Sequence, residues 1–423
     1  MKRFTFIDLF AGCGGLSEGF YQENFKAVAH IEINSICCKT LIERMKFYNY
    51  KNAEDAVINE DITNKNIITL IDKISNNEEI DVIIGGPPCQ AYSTLGRAKD
   101  KNSMQDDPRN FLFENYVKIL NYYKPKVFVF ENVLGILTAK IKDKKIIDLV
   151  MKELSKNYNI LSNPNDMVLN AVNYGVPQIR KRVIILGTRK DLCISPEQLY
   201  KDIISTHYAP DANNIEKEEL KKYVTVRDAI YELPKLRPGE GKSIINFTSI
   251  LLLLHIKWNT NNEFLAQISY NTSNILMDHV ARRHNDLDIK RYTEMAKNKW
   301  TFKELLEHRP DLKHKKARVF NNSYVVQWWD QPAKTIIAHL YKDGNQFIHP
   351  DYTQGRTLTV REAARLQSFP DNFVFCGPRT EQYKQIGNAV PPLLSKAIAL
   401  SIKQNLNLLV KRGSLWFSHL LQI

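Results

Sequence analysis

Phe4-Thr-Phe-Ile-Asp-Leu-Phe-Ala-Gly-Cys-Gly-Gly15 sets a β-rich run directly against a glycine-rich turn, and residues 16–21 beyond it have helical character. Strand, tight turn and helix in that order open a βα unit of a doubly wound sheet. Glycines at 12, 14 and 15 let the backbone approach a ligand and offer N–H groups at a helix N-terminus. A second strand over 27–33 places Glu32 at its end, where a carboxylate can accept ribose hydroxyls. Asp61 and Ile62, after a helical stretch, form a third element that could meet an adenine amino group. Gly-x-Gly alone is weak, because Ser17 stands where the dinucleotide fingerprint has its third glycine. A tight turn beside a surface glutamate stays open as the plainer reading. A nucleoside-containing cofactor without emphasis on a pyrophosphate fits better than a dinucleotide.

Further buried strands are expected over 81–84, 127–130 and 183–187, so the first 190 residues read as a mostly parallel α/β sheet covered by helices. The strand at 81–84 runs into Gly85-Gly-Pro-Pro-Cys-Gln90. Two glycines and two prolines make a rigid non-helical turn at a strand's carboxyl end, where open α/β sheets hold their ligands. A thiol displayed there, Cys89, is a nucleophile candidate, whereas a lone cysteine is by default a small buried hydrophobe. The polar stretch 91–109, with Arg97 and Arg109, reads as a lid over it. Glu131, in Glu131-Asn-Val133, ends the next strand, where burial can make a carboxyl group a proton donor. In Gln178-Ile-Arg-Lys-Arg182, strand alternation puts Gln178, Arg180 and Arg182 on one face, there to hold a carbonyl oxygen and a phosphate or simply to be surface charge.

The bulk numbers bound these readings. The 423 residues suit two or three domains, and 43% hydrophobic with 25% charged residues excludes collagen, low-complexity disorder and a disulfide miniprotein. Lys plus Arg is 59 against 46 for Asp plus Glu, a formal charge of +13, which favours a polyanionic partner. The longest aliphatic run, residues 250–254, is too short to cross a bilayer, and Asp8 interrupts any leader-like stretch. Six cysteines without paired metal spacing read as thiols of a reducing cytoplasm. His279, His284, His339 and His349 have no regular ligand spacing, so no metal is expected. From about 191 to 345 the βα texture gives way to turns, and regular helix returns over 360–367 and 393–406.

Taken in order, Asp8-Leu-Phe-Ala-Gly-Cys-Gly-Gly15, Gly86-Pro-Pro-Cys-Gln90, Glu131-Asn-Val133, Gln178-x-Arg-x-Arg182, Arg356-x-Leu-Thr-x-Arg-Glu-x-Ala-Arg-Leu-Gln367 and Gln385-Ile-Gly-Asn-Ala-Val-Pro-Pro392 resemble the blocks of the DNA (cytosine-5)-methyltransferases of bacterial restriction–modification systems. The resemblance spans residues 4 to about 405. It implies a Rossmann-like S-adenosylmethionine-dependent methyltransferase domain over 1–190, a smaller irregular target-recognition domain over 191–345, and a segment 346–410 that completes the catalytic domain, with 411–423 a tail. Pro332-Ala-Lys-Thr-Ile336 resembles the end of such a recognition domain.

By the same resemblance the cofactor is S-adenosylmethionine with no metal. It would be held by Phe10, Gly12, Gly14, Gly15, Glu32, Asp61, Ile62, Pro88, Asn388 and Ala389. Cys89 would attack carbon 6 of a flipped-out cytosine, Glu131 would bind ring nitrogen 3 and the amino group, Arg182 the 2-oxo group, and Arg180 would order the site or a phosphate. Gln90, Ser93, Arg97, Arg109 and Thr335 would meet double-stranded DNA, although Leu95 stands where some members carry a polar residue. The implied protein is a cytoplasmic, nucleoid-associated monomer that shares its target with a restriction endonuclease without a stable complex. The alternative is a tRNA cytosine-5 methyltransferase. Against it stand the large middle region and the absence of the Cys-Phe-Thr tripeptide its RNA-directed relatives carry. A Rossmann oxidoreductase would leave Pro-Pro-Cys-Gln and both C-terminal blocks without a role.

Overall fold

In the computed structural model, which describes residues 3–88, 111–141, 144–246, 262–269, 275–313 and 324–420 (side chains to 411), strand β1 (Thr5–Leu9) is buried at every position. Strands β2 (Lys26–Glu32) and β3 (Val57–Asn59) extend the sheet on one side of it, and β4 (Val82–Gly85) and β5 (Val127–Val133) on the other, all parallel. Apolar runs such as Val82-Ile-Ile-Gly85, buried throughout, are what a parallel strand covered on both faces requires. Two short strands, β6 (Tyr158–Asn159) and β7 (Val168–Asn170), and the long β8 (Lys181–Arg189) complete an eight-stranded sheet. Its order is β3-β2-β1-β4-β5-β8-β6, with β7 also on β8, and β8 runs antiparallel to β5, β6 and β7.

The Cα packing divides the chain into two compact units. Unit 1 is 1–171, 181–204 and 392–423; unit 2 is 172–180 and 205–391. Unit 1 holds the whole eight-stranded sheet. Its core gathers Ile7, Leu9, Ile83, Phe128, Phe130 and Ile185 with Tyr116 and Ile119 of the helix Leu112–Tyr123. The Tyr116 hydroxyl donates to the Val129 carbonyl at 2.9 Å, so even this buried polar tip is satisfied.

Helix α1 (Gly15–Gln22) follows the glycine-rich turn, and helix α2 (Ser35–Phe47) is capped by Asn34, whose side chain accepts from Ile36 and Cys37 N–H at 2.9 and 3.1 Å. The helix Pro392–Leu420 closes the chain and returns to unit 1, packing on α1. Ser395 donates to the Leu16 carbonyl. Farther along, Ser401 donates to the Leu199 carbonyl at 2.7 Å and Asn405 to Asp202 at 2.7 Å.

Unit 2 is built from short elements. The hairpin-like pair Gly241–Asn246 and Ile275–Val280 is antiparallel, and a small core collects Tyr292, Met295, Phe302, Leu305, Tyr324 and Ile348. Unit 2 also holds a helix, Val360–Leu366, buried on every side although it carries Arg361, Glu362 and Arg365. Those charges survive burial because each is paired. Arg356 grips Glu362 at 2.8 and 2.7 Å, Arg365 grips Asp371 through two bonds of 2.8 Å, and Arg361 donates to the carbonyls of Met277 and Phe373 at 3.0 and 3.1 Å.

Three local expectations are corrected. β5 runs on to Val133, so Glu131 lies within a strand, not past its end. Asp61 follows the unanticipated edge strand β3, not a helix. Gln178 and Arg180 precede β8, which begins only at Lys181: Ile179 N–H bonds the Ala333 carbonyl at 2.9 Å instead of a neighbouring strand. Even so, Gln178 and Arg180 are buried and Ile179 and Lys181 exposed, in the alternation expected.

A Cβ added to Gly19 would fall 2.2 Å from the Lys396 backbone nitrogen and 2.3 Å from the Ser395 carbonyl carbon. Gly19→Ala must therefore spread α1 from the closing helix. The expected cost is about 1–3 kcal/mol, read as a lower chemical-denaturation midpoint. An unchanged midpoint would refute this close approach.

Candidate active site

The turn after β1 is made by three left-handed backbones, Phe10 (φ 59°), Gly12 (φ 56°) and Gly14 (φ 88°), the last serving as N-cap of α1. Phe10 is the telling one, since a bulky residue holds this conformation only where its surroundings enforce it. Gly12 N–H donates to Glu32 Oε2 at 2.8 Å, and Asn34 N–H to Glu32 Oε1 at 2.8 Å. Asn59 anchors the same corner, donating to the carbonyls of Glu32 and Ile33 at 3.0 and 2.9 Å. Burial raises the Glu32 carboxyl, against the pull of its backbone donors. A Cβ built on Gly12 would meet nothing within 4 Å, so that side of the turn is open. Ile33, next to Glu32, is 66% exposed, an apolar surface at the carboxyl edge of the sheet. Asp61 Oδ1 accepts from the Thr63 N–H and hydroxyl, both at 2.8 Å, and Ile62 is buried.

Ser17 has a structural reason to differ from the glycine fingerprint. Its hydroxyl donates to buried Asp8 and lies 3.3 Å from His30 Nδ1, while the Tyr21 hydroxyl lies 2.7 Å from His30 Nε2. These four side chains pin α1 to β1 and β2 beneath the turn. Burial pushes Asp8 up to about 8, with Ser17 opposing and Glu32 reinforcing the shift, and burial pushes His30 down to about 3. Both are uncharged at neutral pH.

The second half of the site lies where β4 and β5 end. Gly86-Pro87-Pro88 leaves β4, and Asn132 Nδ2 donates to the Pro87 carbonyl at 3.2 Å. A Cβ on Gly86 would lie 2.7 Å from Glu131 Oε2, so a side chain there could be accommodated only by moving that carboxylate. Glu131, on β5, pairs with Arg182 Nε of β8 at 2.9 Å, and the two side chains are 14% and 11% exposed. Cys89, Gln90, Ser93, Arg97 and Arg109 lie outside the described residues, as does the whole stretch 91–109. What the sheet brings together in unit 1 is thus Phe10, Gly12, Gly14, Gly15 and Glu32 at one turn, and Pro88, Glu131 and Arg182 at the other. The two turns follow adjacent parallel strands, β1 and β4, at the point where the strand order reverses.

Gln178, Arg180, Thr335, Asn388 and Ala389 belong to unit 2. Arg180 is buried, donating to the backbone carbonyls of Ile336, Gly387 and Ala389. Thr335 donates through its hydroxyl to the Ile179 carbonyl at 2.7 Å; Asn388 is exposed at the end of the helix Arg379–Asn388, and Ala389 is buried.

A carboxylate–guanidinium pair beside a Pro-Pro turn can grip a flat heterocycle with both donor and acceptor edges, and the open glycine turn with its fixed carboxylate suits a nucleoside. The comparisons decide which chemistry this is. The family model for the C-5 cytosine-specific DNA methylase matches residues 4–404. This chain belongs to that family. It is 35% identical to the type II methyltransferase M.Bpa9945I of Bacillus paralicheniformis, over 95% of this chain and 99% of that protein. Against the type II methyltransferase M.DdeI of Desulfomicrobium norvegicum it is 35% identical over 95% and 90%. A crystal structure described as a DNA modification methyltransferase encoded within an E. coli prophage superposes with TM-score 0.65 and 25% identity, over 96% of this chain and 99% of that one. The chain is therefore a DNA cytosine methyltransferase of restriction–modification type, on a Rossmann-like, mostly parallel sheet. No helix among the described residues is long and apolar enough to cross a membrane.

In this methylase the residues that sequence reasoning passed over are supports. Asn34 carried a readable signal, an N-cap just before a helical run. Asn132 stood inside a quoted block without a role. Asn59, His30 and Tyr21 act through long-range contacts that no local pattern encodes.

Gly86→Ala would push the Glu131 carboxylate from its seat while leaving the sheet intact. Turnover should fall roughly 100-fold with the unfolding midpoint near wild type; full activity would show that Glu131 need not sit there. Asp8 gives a pH prediction. The unfolded chain loses this proton near its ordinary 3.8 and the native chain near 8, so wild-type stability declines as pH rises between those values. Below about 6.5 His30 opposes it, because the unfolded chain takes up a proton that the native chain refuses until about 3. Asp8→Asn should therefore gain thermal midpoint relative to wild type as pH rises from 5 to 8, and then level off. A pH-independent difference would mean that Asp8 is ionised in the native protein.

Proposed function

We propose that this methylase transfers a methyl group from S-adenosylmethionine to carbon 5 of a flipped-out cytosine within a short specific duplex sequence, through a covalent Cys89 adduct, and so protects DNA from a cognate restriction endonuclease. The observation that supports it most is the Glu131–Arg182 pair at the Pro-Pro turn that leads into Cys89.

The cofactor reading rests on fit. The open face at Gly12, the Glu32 carboxylate fixed by two backbone donors, and the exposed apolar Ile33 match a ribose and an adenine ring. Phe10, Gly14, Gly15, Asp61, Ile62, Pro88, Asn388 and Ala389 would complete its contacts. When bound, S-adenosylmethionine supplies the electrophilic methyl group. No metal enters this scheme.

Carbon 5 of cytosine is too weakly nucleophilic to accept that methyl group unaided. The Cys89 thiolate bonds to carbon 6 and pushes electron density onto carbon 5. Glu131 hydrogen-bonds ring nitrogen 3 and the amino group while charge develops, and Arg182 holds the 2-oxo group. After methylation, loss of the carbon 5 proton expels the thiolate and restores the aromatic ring. The base must leave the stack first, with Gln90, Ser93, Arg97, Arg109 and Thr335 meeting the duplex. The lysines and arginines that reach phosphates make that binding fall steeply with salt. The protein acts as a cytoplasmic monomer on double-stranded DNA and shares only its target with the endonuclease.

The test is bisulfite sequencing of DNA from a methylation-free host expressing the chain, beside a Cys89→Ser control. Fully protected cytosines in one short motif, absent from the control, are expected; protection that persists in Cys89→Ser refutes the thiol route. On purified protein, a duplex with 5-fluorocytosine at the mapped position should be trapped as a covalent adduct after methyl transfer, because fluorine blocks the final elimination. An active enzyme that leaves no adduct overturns the mechanism. Protection found only in tRNA would move the substrate to RNA.

A further inference from the structure

Residues 177–180 hold two separate stretches of unit 2 through backbone and side-chain hydrogen bonds. Ala333 N–H donates to the Pro177 carbonyl at 2.9 Å, and the Thr335 hydroxyl to the Ile179 carbonyl at 2.7 Å. The Ile336 peptide is gripped at both ends: its N–H donates to Gln178 Oε1 at 2.7 Å, and its carbonyl accepts from Arg180 Nη1 at 2.7 Å. The same two side chains reach the C-terminal block. Gln178 Nε2 donates to the Leu366 carbonyl and to Gln367 Oε1, both at 3.0 Å, and Gln367 in turn donates to the Ile386 carbonyl at 2.7 Å. Arg180 Nη2 donates to the carbonyls of Gly387 at 3.1 Å and Ala389 at 2.9 Å. Gly387 leaves no slack, since a Cβ there would lie 2.2 Å from the Ala338 backbone nitrogen.

One buried guanidinium, 1% exposed, therefore joins the backbone beside Thr335 to the backbone beside Asn388. A planar fork can serve three carbonyl oxygens in fixed directions, which an ammonium or an amide cannot reproduce in full. If one stretch shifts, the fork pulls on the other, and whatever factor the duplex adds to cofactor affinity the cofactor must add to duplex affinity.

We infer that Arg180 is a positioning residue that couples engagement of the duplex at Thr335 to engagement of the cofactor at Asn388 and Ala389, without touching the cytosine. This rests on the proposed assignment of Thr335 to DNA and of Asn388 and Ala389 to the cofactor.

The experiment measures the affinity of the full chain for S-adenosylhomocysteine, which cannot react, with and without a duplex carrying the bisulfite-mapped sequence. Wild type should bind it about tenfold more tightly with the duplex present. In Arg180→Gln that factor should fall to within about twofold. KM for cofactor and KM for duplex should both rise, each by more than kcat falls, and Arg180→Lys should recover part of the coupling. If Arg180→Gln fails to fold, Arg180→Lys and Gln178→Met report on the same Ile336 tether, and full coupling in both refutes the inference. So does a variant with both affinities and their coupling intact but kcat lost, which would make Arg180 catalytic. A wild type that binds both ligands without coupling overturns this inference alone. A wild type that binds neither overturns the proposed function instead.

Discussion

Backbone packed on backbone where β1 and β4 end side by side, with β5 running on beyond them, is the constraint from which the site follows. β4 lies between the other two in parallel register, with Gly85 opposite both Leu9 and Phe130. A Cβ on Gly85 would stand 2.4 Å from the Leu9 carbonyl oxygen, and one on Gly86 would collide with Glu131. Gly85 is required by the Leu9 backbone, and Gly86 by the seat of the Glu131 carboxylate. Because strand order reverses between β1 and β4, the connections after them run to opposite faces of the sheet, and their separation leaves a crevice at the carboxyl edge. The two turns that border it carry the residues proposed for the cofactor and the cytosine. Rigidity at Pro87 and Pro88 and the left-handed Phe10 are local consequences of building the edge this way.

Polar groups around that edge are held without excess charge. Asp8 and His30, buried under the cofactor turn, are driven to their neutral forms by desolvation and linked through Ser17. Unit 2 takes the opposite course and keeps its buried ions charged in pairs. Burial alone would push Glu362 up, yet Arg356 and His349 hold it well below the usual carboxylate range. Removing one member of such a pair leaves an uncompensated charge in the interior, so these arginines are tied to their acids more firmly than any apolar neighbour. The helix Val360–Leu366 carries three charged side chains yet is buried all round, and it is the pairing that permits this.

The parts of this molecule legible in its sequence are those encoded by short-range patterns. Apolar runs announced β1, β2, β4, the first part of β5 and the interior of β8, with glycines marking the turns after β1 and β4, and ordered motif blocks announced the family. What stayed hidden depended on distant partners. β3 is three residues long, too short for any periodicity to mark. Gln178, Arg180 and Arg182 do alternate with exposed Ile179 and Lys181, but the first two precede β8, because Ala333, far away in sequence, takes the Ile179 N–H. For the same reason Arg180, read as a candidate for substrate or phosphate, is bound to carbonyls contributed by residues 336, 387 and 389. Glu131 and Arg182 were legible as types, but their 2.9 Å pairing required the antiparallel register of β5 and β8.

That distinction also changes what the net charge means. Among the described residues seven arginines are buried: Arg44, Arg180, Arg282, Arg291, Arg356, Arg361 and Arg365. Their partners are internal carboxylates or backbone carbonyls, as with Arg44 on Glu18 and Arg282 on the Leu340 carbonyl. Buried acids are fewer, namely Asp8, Glu18, Asp81, Glu362 and Asp371, and Asp8 is uncharged at neutral pH. Part of the formal +13 is thus positive charge spent on holding carbonyls together inside the protein, where no phosphate reaches it. Counterion release on DNA binding is set by the cations that reach phosphates. The salt dependence of duplex binding therefore reports the exposed lysines and arginines, and a count made from composition alone overstates it.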